Sequence, residues 1–173
     1  MNKRGQGIFG LSYGAIFSII LIIAIIGVAI FAINHFLNLN NCTQIGLAFD
    51  KLQDEVNKAW TSGIYVDTYE IDLPQEGFFK SGIDNVCFGA LSLPPEAAAV
   101  TIKANIEDFD PDAQGNFFFN PPENACDGDF ADFNLEHFET SSGSFFCVKV
   151  QNGKAEIRLD KQSTDSSVKI SAA

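Results

Sequence analysis

The sequence predicts an α+β protein in which a long N-terminal helix, transmembrane in its first half and amphipathic in its second, packs on a small antiparallel β-sheet head. Three observations predict it. From Ile8 to Ile33, 26 residues run without a charged side chain. Beyond them Ile45, Phe49, Leu52, Val56 and Trp60 recur at spacings of four, three, four and four, the period of one helix face. From Ile64 onward the pattern changes to short β-rich runs broken by Pro and Gly. The chain of 173 residues has room for one ordinary domain beside a membrane segment. Its 46% hydrophobic and 19% charged residues are the composition of a folded chain rather than a disordered one. The expected divisions are a basic leader at 1–5, a membrane helix at 6–37, an amphipathic helix at 38–63 and a β-rich head at 64–173.

A 26-residue helix rises roughly 39 Å, against about 30 Å of bilayer hydrocarbon. A cleaved secretory signal has a shorter apolar stretch followed by a polar cleavage region. Here Gly27-Val28-Ala29 has the small residues, but Ile30, Phe31 and Ile33 follow. Lys3 and Arg4 precede the run, and the next charge is Asp50. The positive-inside rule therefore places the N-terminus in the cytoplasm and everything beyond about Asn34 outside the cell membrane. Gly10 and Gly14 form a G-x-x-x-G pair that Ser18 extends by one turn. Small residues at this spacing let helix backbones approach closely in lipid, so the chain's partners are the bilayer and other copies of such a helix.

In the amphipathic stretch Asp50, Lys51, Asp54, Glu55 and Lys58 fall off the apolar face, and Ser62-Gly63 closes the helix. Asn38 to Asn41 is a weak point, because Asn is a poor helix former. In the head, strands are expected at Ile64–Leu73, Asn85–Leu91, Val100–Ile106 and Asn116–Phe119, with a last one at Val168–Ser171. A hairpin is expected between Phe145–Val150 and Ala155–Leu159, turned at Asn152-Gly153, the pair that supplies two positive-φ positions. Phe117, Phe118 and Phe119 are consecutive, so in a strand they cannot all face one core. A second packing surface, from a partner subunit or a covering loop, is required.

All four cysteines, Cys42, Cys87, Cys126 and Cys147, follow the membrane run, and none forms C-x-x-C. On the oxidising side they make two disulfides, with three pairings open. Asp108, Asp110 and Asp112 alternate before Gln114-Gly115, a spacing that can wrap Ca²⁺, although Ala113 and Phe119 stand where an EF-hand has Gly and Glu. Asp127, Asp129 and Asp132 form a second acidic loop, and both also read as solvated turns. Asn41-Cys42-Thr43 is a glycosylation sequon. His35 and His137 lack helically spaced ligand partners, and no nucleophile elbow or phosphate-cradling loop is present. Catalysis is therefore not expected, and no cofactor beyond calcium is implied. With 22 acidic against 11 basic residues the net charge is −11, which argues against a nucleic-acid partner.

Lys3-Arg4-Gly5-Gln6, set directly against the apolar run, resembles the class III signal of archaeal type IV pilins and archaellins. The resemblance implies cleavage between Gly5 and Gln6 by a prepilin peptidase, and a membrane helix that is kept as the core of a filament. Many such pilins carry Glu at the fifth mature position, which is Gly10 here; archaellins also lack it. The function implied is that of a pilin-like, non-enzymatic assembly or adhesion subunit anchored by one span. The alternative is an anchored extracellular binding module, calcium-dependent or not, that forms no filament.

Overall fold

The computed structural model describes residues 13–74, 82–128 and 131–173. Its residues divide into two compact units, one ending at Asn38 and the other Leu39–Ala173. Helix α1 runs Tyr13–Thr61, and no proline interrupts it. Its isoleucines are stiff in a helix; a segment this apolar, if placed in hydrocarbon, would have to bond every backbone N–H and C=O within itself, as a helix does. From Ile16 to Leu37 every side chain is exposed. The helix is long and apolar enough to cross a membrane.

In the second unit α1 buries Ile45, Ala48, Leu52, Val56 and Ala59. The expected face is rotated slightly: Phe49 is half-buried, and Trp60 stays 39% exposed at the rim. After α1 come β1 (Tyr65–Asp72), β2 (Asn85–Phe88), the short helix α2 (Val100–Phe109), β3 (Phe117–Asn120), β4 (Asp132–Phe133), β5 (Phe138–Thr140), β6 (Phe146–Lys149), β7 (Lys154–Lys161) and β8 (Val168–Ala172). They form two four-stranded sheets, in the orders β1-β7-β8-β5 and β4-β3-β2-β6. All pairings are antiparallel except β5 with β8. The α+β class holds, with two sheets where one was expected.

The main core gathers the buried face of α1, Ile157, Leu159 and Ile170 from the first sheet, and Val86, Phe88, Phe117 and Phe119 from the second. Aromatic rings join the layers. Phe49 of α1 stacks on Phe133 with centroids 4.2 Å apart, and Phe88 of the second sheet meets Phe138 of the first edge-on at 6.2 Å. Phe118 points the other way, into a smaller core with Cys87, Ala99, Ile106 and Phe145. The second packing surface that three consecutive Phe require is thus supplied by α2 and the segment before it.

Two expectations are corrected. The first is Val100–Ile106, which is helical. The alternation of Val100, Ile102 and Ile106 also fits a helix, since Ile102 and Ile106 are one turn apart. Pro94-Pro95 ends the preceding run, Ala97–Ala99 forms a 3-10 turn, and Lys103 pairs with Glu107 at 3.5 Å. The second is the hairpin. Its turn is as expected, with Asn152 at φ 53° and Gly153 at φ 75° and Gln151 bridged to Lys154. The strands then part: β6 pairs with β2, and β7 with β1 and β8. Alternating Ala155, Ile157 and Leu159 bury β7 in the first sheet, while the Cys87–Cys147 bond holds β6 against β2.

Phe118→Ala is expected to cost about 3–5 kcal/mol, as for other buried Phe truncations, and to loosen α2 selectively. Denaturant unfolding together with hydrogen exchange across Val100–Phe109 checks both; unchanged protection of α2 would contradict the assignment.

Candidate functional site

Lys3, Arg4, Gly5, Gln6 and Gly10 lie outside the described residues. Of the small-residue stripe, Gly14 and Ser18 are described, and the Ser18 hydroxyl donates to the Gly14 carbonyl at 2.8 Å. That bond turns the polar atom back onto its own helix.

The four cysteines form Cys42–Cys126 and Cys87–Cys147. The first ties α1 to a 3-10 turn at Cys126–Gly128. The second joins directly opposed positions of β2 and β6. Asn41 lies within α1 next to Cys42. The Thr43 hydroxyl of the sequon donates to the Leu39 carbonyl at 2.9 Å.

Among the described residues, no three His, Cys, Asp or Glu side chains stand together where they could hold a metal ion. Asp108 sits in the last turn of α2, and Asp110 follows it in extended conformation. The Asp110 carboxylate accepts the Asp112 N–H at 3.1 Å, which is ordinary turn chemistry. In the second acidic loop Asp132 accepts the Gly115 N–H at 3.2 Å, while Asp129 lies outside the described residues.

The structure brings together side chains that sequence spacing did not. His137 stacks on Trp60 at 3.7 Å between centroids, nearly parallel, and the Trp60 indole donates to the Ser166 carbonyl at 3.1 Å. Gln53 of α1 accepts the Glu136 N–H at 2.8 Å. These contacts dock the end of α1 on the loops around β5 and β8. They join positions 77 or more apart in sequence, so no local pattern announces them. His35 stacks on Phe31, in the apolar part of α1.

A charged cluster holds the helix to β1. Tyr65 donates to Glu55, Lys58 donates to the same carboxylate at 2.8 Å, and the Lys58 ammonium lies 5.5 Å from the centre of the Tyr65 ring. Burial pushes the Glu55 carboxyl up, but the hydrogen bonds from Lys58 and Tyr65 and the Lys58 charge outweigh it, so the net shift is downward. A cleft of about 320 Å³ is lined by Leu93, Asn116, Phe138 and Thr140. Among the described residues the buried Thr140 hydroxyl has no hydrogen-bond partner.

Because the folded state lowers the Glu55 pKa, this carboxylate stabilises the head above the ordinary glutamate range, and the contribution is lost as pH falls through the lowered value. Glu55→Gln is therefore expected to reduce the melting temperature at pH 7 and to differ less from the parent near pH 3. A melting series across that range checks it, and a gap that stays constant with pH would refute it.

No protein-family model, no curated protein and no solved structure matches the chain.

Proposed function

We propose that the chain is a single-pass, membrane-anchored surface protein that works as a pilin-like assembly or adhesion subunit without catalysis of its own. The observation that carries this reading is α1: its exposed residues from Ile16 to Leu37 are apolar throughout except at Ser18, Asn34 and His35, yet from Ile45 to Ala59 it buries one face in a folded head. A helix of this kind packs against copies of itself as well in a filament core as in lipid, since both surroundings are apolar. Lys3-Arg4-Gly5-Gln6 stands where a prepilin peptidase would cut, and Gly14 and Ser18 leave room for a neighbouring backbone. Two disulfides fit an exterior head, because such bonds persist in oxidising surroundings. On this reading Lys3 and Arg4 remain on the cytoplasmic side of the cell membrane. The partners are the bilayer, the peptidase and other pilin-like subunits. Removing the helix from lipid is costly, so assembly needs an energy-driven machine.

Intact mass of the protein extracted from its native membrane tests the proposal. The expected result is loss of Met1–Gly5, with uptake of four hydrogens on reduction, two per disulfide. An intact leader would leave a tethered binding module in place of a processed subunit. No uptake on reduction would overturn the exterior placement.

A further inference from the structure

The two disulfides sit in unlike surroundings. Cys87 is fully buried, in a cluster with Ala99, Ile106, Phe118 and Phe145. Its partner Cys147 lies directly opposite it on the β2–β6 ladder, so the backbone pairing holds the two sulfurs face to face even without the bond. Cys147 is half-buried, as are Cys42 and Cys126, so the two bonds differ in the full burial of Cys87 and in backbone support. No ladder supports the Cys42–Cys126 bond, and Cys126 occupies the left-handed region at φ 59°, where a residue other than Gly is strained and persists only while its surroundings hold it.

The helix side of that bond is thinly attached. Among the described side chains from Leu39 to Gln44 none is buried, and the first buried one is Ile45. The Thr43 hydroxyl donates within its own helix, to the Leu39 carbonyl. Three of the four residues from Asn38 to Asn41 are Asn, a poor helix former that competes for backbone hydrogen bonds. The disulfide therefore supplies a fastening here that packing does not.

We propose that Cys42–Cys126 is a redox-sensitive strap: it opens to a dithiol reductant before Cys87–Cys147 does, and its opening frees the Leu39–Gln44 stretch of α1 from the head. A thiolate of the reductant attacks one of the two sulfurs, the Cys42–Cys126 bond breaks, and a mixed disulfide forms. The second thiol of the reductant then displaces the chain's sulfur and closes a disulfide in the reductant. Both cysteines leave as thiols, having taken two electrons and two protons from the dithiol. Cys126 relaxes out of its left-handed conformation, which opposes reclosure. At Cys87–Cys147 the intact ladder favours reclosure.

The test uses the full chain in detergent micelles under native conditions, with graded dithiothreitol, alkylation and peptide mass mapping. Cys42 and Cys126 are expected to be labelled at about tenfold lower dithiol concentration than Cys87 and Cys147. Simultaneous labelling of all four, or labelling of Cys87 and Cys147 first, overturns the proposal. In the paired substitution Cys42→Ser with Cys126→Ser, amide exchange is expected to rise on the order of tenfold across Leu39–Ile45 while β2 and β6 keep their protection. Unchanged exchange across Leu39–Ile45 overturns the strap, and the graded reduction of the unaltered chain decides the order of opening even if the substituted chain folds poorly.

Discussion

The apolar stripe of α1 from Ile45 to Ala59 is the surface on which the head depends, because both sheets close against it. Ile45, Leu52 and Val56 are fully buried there, in one continuous core with strands of each sheet. The second sheet in particular leans on that stripe. It is built from strands of two to four residues, too short to bury much alone. Removing the stripe would expose Ile157, Leu159, Phe88 and Phe117 together, so the helix acts as the wall that both sheets share. Ala48 and Ala59 matter for the same reason as the larger residues, since their small side chains let the helix approach closely.

Around that wall the head compensates for its modest size with aromatic volume and covalent ties. Phe residues contribute large buried area and edge-to-face geometry: Phe117 meets Phe119 at 5.0 Å and 85°, and Phe88 at 5.2 Å and 68°. The disulfides close loops of 84 and 60 residues, each contributing about 2–4 kcal/mol. The polar contacts at the helix end are of a different kind. Glu55, Lys58 and Tyr65 are partly solvated, so they fix the angle at which β1 leaves the helix more than they add to total stability.

The large features were legible in the sequence because each rests on a period. The apolar run and the three-four spacing gave α1 and its end at Thr61, and the two positive-φ positions of Asn152-Gly153 gave the turn. What failed did so for physical reasons. Val100–Ile106 alternates apolar residues at a spacing that a helix and a strand both satisfy, and its helical state is decided by what precedes it and by packing over Phe118. The Asn-Gly turn was right, but a turn fixes only its own four residues. Which sheet each flanking strand joined depended on Cys147 facing Cys87 and on the buried alternation of β7. For the candidate site the even cysteine count foretold two bonds without their pairing. The Trp60–His137 and Gln53–Glu136 contacts were invisible, since only the tertiary fold brings their elements together.

The bond from Ser18 to the Gly14 carbonyl bears on how such helices would meet under the proposed reading. A serine in hydrocarbon can hydrogen-bond across an interface, but a hydroxyl already donating to its own helix has no proton left to give to a neighbour. What positions 14 and 18 then offer is small volume rather than polarity. Contact through them would rest on backbone approach and dispersion, whose strength falls with added side-chain size and is indifferent to the loss of a hydroxyl. Exchanging Ser18 for Ala would on this reasoning be mild and exchanging it for Leu severe, because the void is what the neighbour uses. An association of that kind carries no directional polar bond, so it is as compatible with sliding and repacking during transfer from bilayer to filament as with a fixed dimer, and specificity has to come from the folded head.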